Sequence, residues 1–158
     1  MIVIGYPGIG KSTLAGRDNK YIDLESGCFW VDGKRADDWY VAYCQVAEHL
    51  SRQGYIVFVS SHAAVVDFLC RIRTSVDEPV AVVYPSIVLR DQWVEKLRQR
   101  FDESGLEKDL KAWTRSIVFF DADITELAQA PGVQYRLTLA NMDYDLKEAM
   151  EKLESRIV

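Results

Sequence analysis

The 158-residue chain is poor in the residues that build metal centres and disulfide frameworks. It has three cysteines and two histidines, and no two cysteines stand in a C-x-x-C spacing. Three thiols cannot all pair, and so small a set of ligands does not favour a zinc site. We therefore expect a reducing, cytoplasmic environment.

Long apolar runs and an excess of positive charge are also missing. No apolar run approaches the roughly 18 residues of a membrane span, and residues 1–5 lack the basic region and cleavage site of a signal peptide. Nineteen Lys and Arg against 24 Asp and Glu give a formal net charge of −5. We expect no membrane association and no nucleic acid as the primary partner.

The composition that remains is that of a folded domain. Hydrophobic residues make up 49% of the chain and charged residues 27%, which is typical of globular rather than disordered proteins. The length is close to the roughly 150 residues of one domain. We predict a single domain over residues 1–158.

Apolar runs and helical spacings alternate along the chain. The apolar and β-branched runs predict five strands, at Met1–Ile4, Lys20–Leu24, Tyr55–Ser60, Val80–Tyr84 and Gln134–Leu139. The helical spacings predict helices over Lys11–Ala15, Asp37–Gln53, Ala63–Arg73 and Asp145–Ser155. Because helix-length crossovers imply parallel strands, we predict a three-layer α/β fold, a five-stranded parallel sheet with helices on both faces. Ligands of such sheets bind at the carboxyl ends of the strands.

About 45 residues between the fourth and fifth strands are helical by pattern. In Ser86–Asp102, apolar residues stand four apart at Leu89, Trp93, Leu97 and Phe101. After Gly105 they alternate at spacings of four and three, at Leu106, Leu110, Trp113, Ile117, Phe120, Ile124 and Leu127. We predict a helical hairpin or lid at about residues 86–130, packed beside the sheet. A coiled-coil contact with a partner is the alternative for the second helix.

The sharpest motif lies directly after the first strand. Gly5-Tyr6-Pro7-Gly8-Ile9-Gly10-Lys11-Ser12-Thr13 matches G-x-x-x-x-G-K-[ST]. Its glycines let successive backbone N–H groups surround an anion, and the following helix adds its free donors. Lys11 would meet the β- and γ-phosphates, and the Ser12 hydroxyl would ligate Mg²⁺. We predict ATP contacts from Tyr6, Pro7, Gly8, Ile9, Gly10, Lys11, Ser12 and Thr13; a glycine-rich turn without a ligand is the alternative.

This loop resembles the Walker A loop of P-loop nucleotide-binding proteins. Its place at the amino end, the short chain, a second strand ending in Asp23 and the arginines after the fourth strand are similar to the small kinase branch. That branch includes nucleoside monophosphate kinases, shikimate kinase and gluconate kinase. The resemblance implies a P-loop NTPase fold, ATP and Mg²⁺ as cofactors, and a contact of the segment at Asn141 with adenine, mostly through its backbone. The GTPase branch fits less well. Its N-K-x-D motif would place an aspartate at position 22, but this chain has Ile22 there and the aspartate one place later, at Asp23.

Two residues at predicted strand ends are candidates for the acceptor site. The resemblance implies that Asp23 binds acceptor hydroxyls or the metal, and a carboxylate can orient an alcohol or accept its proton; a turn carboxylate is the alternative. Many P-loop proteins keep an acid after the third strand, where this chain has Ser60-Ser61-His62. The metal would then depend on Ser12 and Asp23. We expect His62 to contact the acceptor phosphate, to act as a base, or to cap the next helix.

The arginines of the hairpin are candidates for neutralising the transferred phosphoryl group. On a helical wheel of residues 86–102, Arg90 falls within the apolar stripe, Arg100 lies on its edge and Arg98 lies further round. We predict Arg90 and Arg98 as catalytic residues beside Lys11, Asp23 and His62, with an internal salt bridge as the alternative for Arg90. Lys108, Lys111 and Arg115 share the opposite face of the next helix and are predicted to be solvated.

These patterns predict a Mg²⁺–ATP-dependent phosphotransferase that acts on a small-molecule acceptor. A nucleoside or deoxynucleoside monophosphate is the first choice of acceptor, on resemblance. A kinase of small metabolites, of the shikimate or gluconate type, is the alternative. A nucleotide-binding module or slow ATPase that signals to a partner through the hairpin is the competing class. The aromatic segment Cys28-Phe29-Trp30 would stack an acceptor base or pack in the core.

Overall fold

The computed structural model describes residues 1–72 and 78–157. The end of the predicted helix Ala63–Arg73, at Arg73, lies outside the described residues.

Five parallel strands form one sheet. They are β1 (Ile2–Gly5), β2 (Tyr21–Asp23), β3 (Ile56–Ser60), β4 (Val80–Pro85) and β5 (Tyr135–Leu139), in the order β2-β3-β1-β4-β5. The three central strands are apolar, rich in β-branched residues and almost wholly buried, as expected for strands covered on both faces. The predicted five-stranded parallel sheet and three-layer α/β fold are confirmed.

The strand register brings the predicted site residues to one edge. Gly5, the last residue of β1, pairs with Ser60 of β3 and with Val83 of β4, while Asp23 of β2 pairs with Phe58. Gly5, Asp23 and Ser60 therefore share the carboxyl edge of the sheet, where such folds bind ligands.

Six α-helices stand among the described residues. They are α1 (Lys11–Ala15), α2 (Trp39–Arg52), α3 (Ala63–Asp67), α4 (Arg90–Ser104), α5 (Glu107–Gln129) and α6 (Leu146–Glu154). Ser26–Phe29 and Ile87–Leu89 form 3₁₀ turns, and Phe68–Ile72 continues α3 as a wider π-type turn. Helix α2 packs on β1 and β3, α5 on β4, and α6 on β5. No helix of the described segments is long and apolar enough to cross a membrane.

The predicted helical hairpin is present as α4 and α5, but α4 begins later than the sequence pattern indicated. Ile87–Leu89 form a 3₁₀ turn, which rotates about 120° per residue rather than about 100°. The turn shifts Leu89 relative to the rest of the stripe, whereas Arg90 is the first residue of α4 and its side chain leaves the stripe towards α5. Its side chain is half exposed, donates to the Ile117 carbonyl at 3.2 Å and lies 3.7 Å from Asp121. The predicted position of Arg90 in the apolar stripe is wrong.

The first half of α5 turns a different face to the core than its apolar spacing predicts. Asp109 and Ser116 are buried there, whereas Leu110 and Ile117 are 37% and 45% exposed. Asp109 accepts a 2.6 Å hydrogen bond from the Ser104 hydroxyl at the end of α4, and this contact turns the helix. In the second half, the buried residues are the predicted ones: Phe120, Ile124 and Leu127.

Candidate nucleotide-binding site

The loop between β1 and α1 is packed so closely that Gly5 and Gly8 have no room for a side chain. Gly8 and Gly10 have φ of +87° and +100°, in the region that favours glycine. A Cβ on Gly8 would lie 3.0 Å from a methyl of Leu97, and one on Gly5 would lie 2.8 Å from Cδ of Lys11. The loop backbone therefore runs directly against α4 and its own lysine.

Side chains from elsewhere in the fold engage the carbonyl groups of this loop. Trp93 Nε1 donates to the Pro7 carbonyl at 2.9 Å, and the Tyr144 hydroxyl lies 3.0 Å from the Ile9 carbonyl and 3.3 Å from that of Gly8. Burial raises the pKa of Tyr144 to about 12, so the hydroxyl keeps its proton for this contact. Three successive acceptors of the loop are thus occupied by the protein itself.

The N–H groups at the start of α1 remain as donors. The first bond of the helix runs from Leu14 N–H to the Gly10 carbonyl at 3.0 Å. The N–H groups of Lys11, Ser12 and Thr13 have no backbone acceptor within the described part of the chain, as expected for a first turn. With its carbonyls occupied, the loop offers donors to an anion.

Lys11 places a positive charge inside the loop. Its Nζ donates to the Gly5 carbonyl at 2.9 Å. Burial lowers the pKa of Lys11, and the nearby carboxylates of Asp23 and Glu25 act against that shift. A partly desolvated ammonium beside a single carbonyl would gain from a phosphate as its counter-charge.

The two predicted metal ligands are in direct contact. The Ser12 hydroxyl donates to Oδ2 of Asp23 at 2.6 Å. Mg²⁺ prefers oxygen ligands, keeps several waters and is usually bound by one or two protein groups together with phosphates. Within residues 1–72 and 78–157 no group of three or more His, Cys, Asp or Glu side chains could hold a metal by itself. The Ser12–Asp23 pair fits a magnesium ion that arrives with a phosphate ligand.

A cleft of about 1050 Å³ opens over this loop. Of the predicted residues, Pro7, Gly8, Ile9, Gly10, Lys11, Ser12, Thr13 and Asp23 line it. Its walls also include the loop after β2, one side of α4 and the first turns of α5 and α6. The cations among the lining residues are Lys11, Arg17, Lys96, Arg100, Lys108 and Lys147.

The two hairpin arginines predicted to be catalytic lie elsewhere. Arg98 stands on the exposed face of α4, where it forms a two-point contact with Glu95 at 2.6 and 2.9 Å and also pairs with Asp102. Arg90 contacts α5, as described above. Both guanidiniums have partners within the hairpin and neither residue is among those that line the cleft, so the structure does not bring them to the loop, and Arg90 makes the internal ion pair that was its alternative.

Lys96 and Arg100 occupy the position that Arg90 and Arg98 were predicted to take. Lys96 Nζ donates to the Tyr144 hydroxyl at 2.8 Å and lies 4.4 Å from the ring centroid of Trp93. Burial and the charge of Arg100 lower the pKa of Lys96. The sequence contains the signal for this pair, because Lys96 is one turn after Trp93 and Arg100 one turn after Lys96.

Arg100 and Lys108 bring charge from the hairpin to the cleft. Arg100 Nη2 lies 2.7 Å from Oδ1 of Asp109, whose side chain is only 3% exposed. Lys108 lies 3.4 Å from Glu25, which follows β2. Lys108 was predicted to be solvated; it reaches the cleft because α5 turns Asp109 inward. Lys111, by contrast, pairs with Glu107 on the exposed face.

His62 caps α3. Its Nδ1 accepts a 3.3 Å hydrogen bond from the Ala64 N–H, and its ring meets that of Trp39 edge to face at 5.5 Å. The His62 N–H donates to the hydroxyl of Ser60 at 3.2 Å. Ser60 lines the cleft and His62 lies just beyond it.

Tyr6 and Asn141 do not reach the cleft with their side chains. Tyr6 is buried and packs edge to face on Phe120 at 5.6 Å, beside a small second cavity behind the loop. Asn141 Oδ1 accepts from the Asp143 N–H at 3.0 Å in a local turn. Met142 and Tyr144, from the same segment, line the cleft instead.

Comparison with known proteins supports the fold. Neither the protein-family models nor the curated proteins give a match to the sequence. Among solved structures, the chain is similar to shikimate kinase from Bacteroides thetaiotaomicron, a crystal structure at 1.7 Å resolution. The match covers 99% of this chain and 96% of that one, with a TM-score of 0.51 and 15% identity. At this identity the likeness shows the fold alone, and it agrees with the predicted three-layer α/β fold.

Proposed function

We propose that this protein is a Mg²⁺–ATP-dependent phosphotransferase whose acceptor is a small metabolite. The observation that carries the proposal is the 2.6 Å contact between Ser12 and Asp23 beside Lys11. This contact joins the loop before α1 to the carboxylate at the end of β2, and both residues line the same cleft. Residues 1–158 would act as one domain, with α4 and α5 as its lid.

At one end of the cleft, residues of the chain would bind and orient the phosphates of ATP. The N–H groups of Lys11, Ser12 and Thr13 and the Lys11 ammonium meet the phosphates, while Ser12 and Asp23 would hold Mg²⁺. When bound, Mg²⁺–ATP would supply the phosphoryl group for transfer. Trp93 and Tyr144 keep the loop in place by occupying its carbonyl groups.

Lys96 and Arg100 are the cations that we assign to the developing negative charge. Both line the cleft and both lie on α4, the helix that is hydrogen-bonded to the loop. Preorganised cations act without reorganisation cost during the reaction. They replace Arg90 and Arg98 in this role.

The acceptor end favours a small metabolite over a nucleoside monophosphate. A monophosphate kinase needs several arginines around a second anion within the cleft, and the arginines lining it in the described chain are Arg17 and Arg100. Asp23 instead lines the open cleft, where Oδ1, the oxygen not bonded to Ser12, can orient an acceptor hydroxyl.

A phosphoryl-transfer screen tests the proposal. Purified protein is incubated with Mg²⁺–ATP and either sugar acids and other hydroxy acids or nucleoside monophosphates, with ADP release measured. We expect ADP only when a suitable acceptor is added, no turnover in Lys11→Ala, and full turnover in Lys111→Ala, which removes an exposed lysine paired with Glu107. ATP hydrolysis that no acceptor stimulates would contradict the proposal.

A nucleotide-binding module that contacts a partner is the second candidate. It is favoured by the apolar residues that α5 leaves exposed, Leu110, Ile117 and Val118. Such a module would hydrolyse ATP without an acceptor, and its affinity for the partner would differ between ATP and ADP. The same screen therefore separates the two candidates.

A further inference from the structure

The helical hairpin carries most of the large apolar side chains that are exposed on the described surface. Eleven such residues are exposed within residues 1–72 and 78–157, and seven of them lie between residues 87 and 119. The seven are Ile87, Val88, Leu106, Leu110, Ile117, Val118 and Phe119. Single exposed apolar residues are normal on a protein surface, whereas their concentration on one element is typical of a surface that contacts another molecule.

The middle of α5 is the centre of this apolar surface. Ile117, Val118 and Phe119 are consecutive and all exposed, and Val118 is 67% exposed. Three consecutive residues of a helix span about 200° of its circumference, so the whole outward side of α5 is apolar at this level. The 3₁₀ turn Ile87–Leu89 packs against α5, and Arg90 directly after it donates to the Ile117 carbonyl at 3.2 Å. The turn that bears two further exposed apolar residues therefore borders the middle of α5.

The charges of α5 are divided at Val118. The basic residues of the helix all precede it, at Lys108, Lys111 and Arg115. The residues that follow it include no base and three acids, Asp121, Asp123 and Glu126. The first half also has two acids, Glu107 and Asp109, in the first turn, where the helix dipole favours them. Glu126, in the last turn, lies at the end where the dipole disfavours an acid.

The outward face of α5 is complementary to itself. Val118 is the midpoint of the helix, and Arg115 and Asp121 stand three residues before and after it on the same exposed face. In two antiparallel helices that meet at Val118, Arg115 of each copy would lie opposite Asp121 of the other. The next basic residue, Lys111, would come near the acidic last turn of the other copy.

The internal contacts of these charges leave them available to a second copy. Asp121 lies 3.7 Å from Arg90, and about half of each side chain is exposed. An exposed ion pair of this kind adds little stability, so Asp121 can share its charge with another cation. Arg115 makes two contacts with Asp123, at 2.6 and 2.8 Å, and its side chain stays exposed. These contacts hold the guanidinium in place on the surface, where it can also meet a second carboxylate.

We propose that the outward face of α5, centred on Val118, is the interface between two copies of this chain, whose α5 helices pack antiparallel about a twofold axis. A twofold contact uses the same face of both copies, and the divided charges of α5 suit that arrangement. Ile117, Val118 and Phe119 do not line the cleft, where the residues of α5 are Lys108, Asp109 and Ala112. The contact leaves the cleft open, and the inference does not depend on the proposed function.

Sedimentation at increasing protein concentration tests the interface without any nucleotide. We expect the average mass to rise with concentration from that of one 18.1 kDa chain towards that of two. The mass of a single chain at every concentration would overturn the proposal and leave the face to a different protein. A mass that rises past two chains would show an open assembly and would overturn the twofold contact.

Val118→Asp tests the centre of the interface. It would bring two like charges together at the axis and should weaken the dimer at least about tenfold. Because Val118 is exposed in the single chain, the fold should tolerate the change, which thermal unfolding checks. Val46→Asp is the matched control, since Val46 is an exposed valine on α2. Equal dimer affinities in the two variants would overturn the site on α5.

Asp121→Lys tests the pairing of charges. It replaces an attraction to Arg115 of the other copy by a repulsion and should weaken the dimer about tenfold. Asp102→Lys is the control, because Asp102 is an exposed acid of α4 that also pairs with an arginine of the hairpin. A dimer affinity that is unchanged in Asp121→Lys would overturn the antiparallel pairing.

Disulfide cross-linking tests the direction of the two helices. At a twofold axis the two copies of one residue meet, so Val118→Cys should give a cross-linked dimer under mild oxidation. Thr125 lies seven residues further on, so its two copies would stand about 20 Å apart in an antiparallel pair and side by side in a parallel one.

The wild type, with its own three cysteines, gives the background of this experiment. We expect cross-linking above that background in Val118→Cys and background alone in Thr125→Cys. Cross-linking of both variants would overturn the antiparallel arrangement, and cross-linking of neither would overturn the interface.

Discussion

Nε1 of Trp93 donates a hydrogen bond of 2.9 Å to the carbonyl oxygen of Pro7, which lies 86 positions earlier in the chain. This contact ties helix α4 to the phosphate loop. Lys96, one turn further along α4, reaches the same loop through the hydroxyl of Tyr144. The helix that carries the proposed catalytic cations therefore also holds the loop in position.

Trp93→Phe should loosen the loop and leave a small cavity, because the indole is fully buried. The variant keeps a ring against Tyr144, whose centroid lies 6.0 Å away, but it loses the donor to Pro7. We expect a loss of about 2–3 kcal/mol in the free energy of unfolding and about a fivefold weaker nucleotide affinity, measured by denaturant unfolding and calorimetry. Trp113→Phe is the control, because Trp113 stacks on Phe101 and makes no indole hydrogen bond within the described chain. Equal nucleotide affinities in the two variants would argue against the loop contact.

Asp23→Asn should change the dependence on Mg²⁺. The amide oxygen still accepts from the Ser12 hydroxyl, but the negative charge is lost. We expect the Mg²⁺ concentration for half-maximal activity to rise about tenfold or more, with the protein still folded. Asp37→Asn, an exposed aspartate before α2, should leave that concentration unchanged. If Asp23→Asn needs the same Mg²⁺ concentration for half-maximal activity as the wild type, Asp23 is not a metal ligand.

Arg100→Gln should abolish most activity, whereas Arg98→Gln should not. Arg100 lines the cleft and Arg98 pairs with Glu95 on the outer face. We expect about a hundredfold fall in kcat for Arg100→Gln and less than about twofold for Arg98→Gln.

Arg100→Gln also leaves the buried carboxylate of Asp109 without its cation, so a loss of stability could mimic a loss of catalysis. The double variant Arg100→Gln/Asp109→Asn removes that charge and should recover the melting temperature without recovering kcat. Recovery of both would show that Arg100 acts only on stability.

The stability of the protein should fall at acidic pH partly because of His62. Burial, Arg35 and Arg115 lower the pKa of His62 in the folded state, so the unfolded state binds more protons in the window below about pH 6.5. Stability therefore rises as pH rises through that window and is lost as pH falls through it. We expect His62→Gln to show a smaller fall in the free energy of unfolding between about pH 8 and about pH 5 than the wild type does. His49→Gln should keep the wild-type dependence, and a parallel fall in His62→Gln would refute the assignment.

Local sequence patterns were enough to predict the frame of the site. The β-branched runs gave all five strands to within one or two residues, and the glycine–lysine–serine spacing gave the loop. The contact between Ser12 and Asp23 was foreseeable because parallel strands end at one edge. The strands and the loop depend on the spacing of residues along the chain, which can be read from the sequence.

The roles of the hairpin cations were harder to predict. The wheel put Arg100 on the edge of the apolar stripe and Arg98 further round, as in the structure, but it did not show that Arg90 contacts α5. On α5, the polar contact between Asp109 and Ser104 outweighed the apolar spacing of Leu110 and Ile117. Apolar periodicity does not encode polar contacts of this kind.

The amino-acid sequence alone determined a parallel α/β sheet with a phosphate-binding loop, because strand runs and a glycine-rich turn are local properties of the backbone. The tertiary structure alone decided which charges meet over that loop. Lys96 and Arg100 come to lie over the cleft because α4 packs against the loop, from which it is separated by more than 80 residues of chain. The stacking of Arg35 on the rings of Trp30 and Trp39 is a second example. It requires three side chains to meet in space, which their positions in the sequence do not reveal.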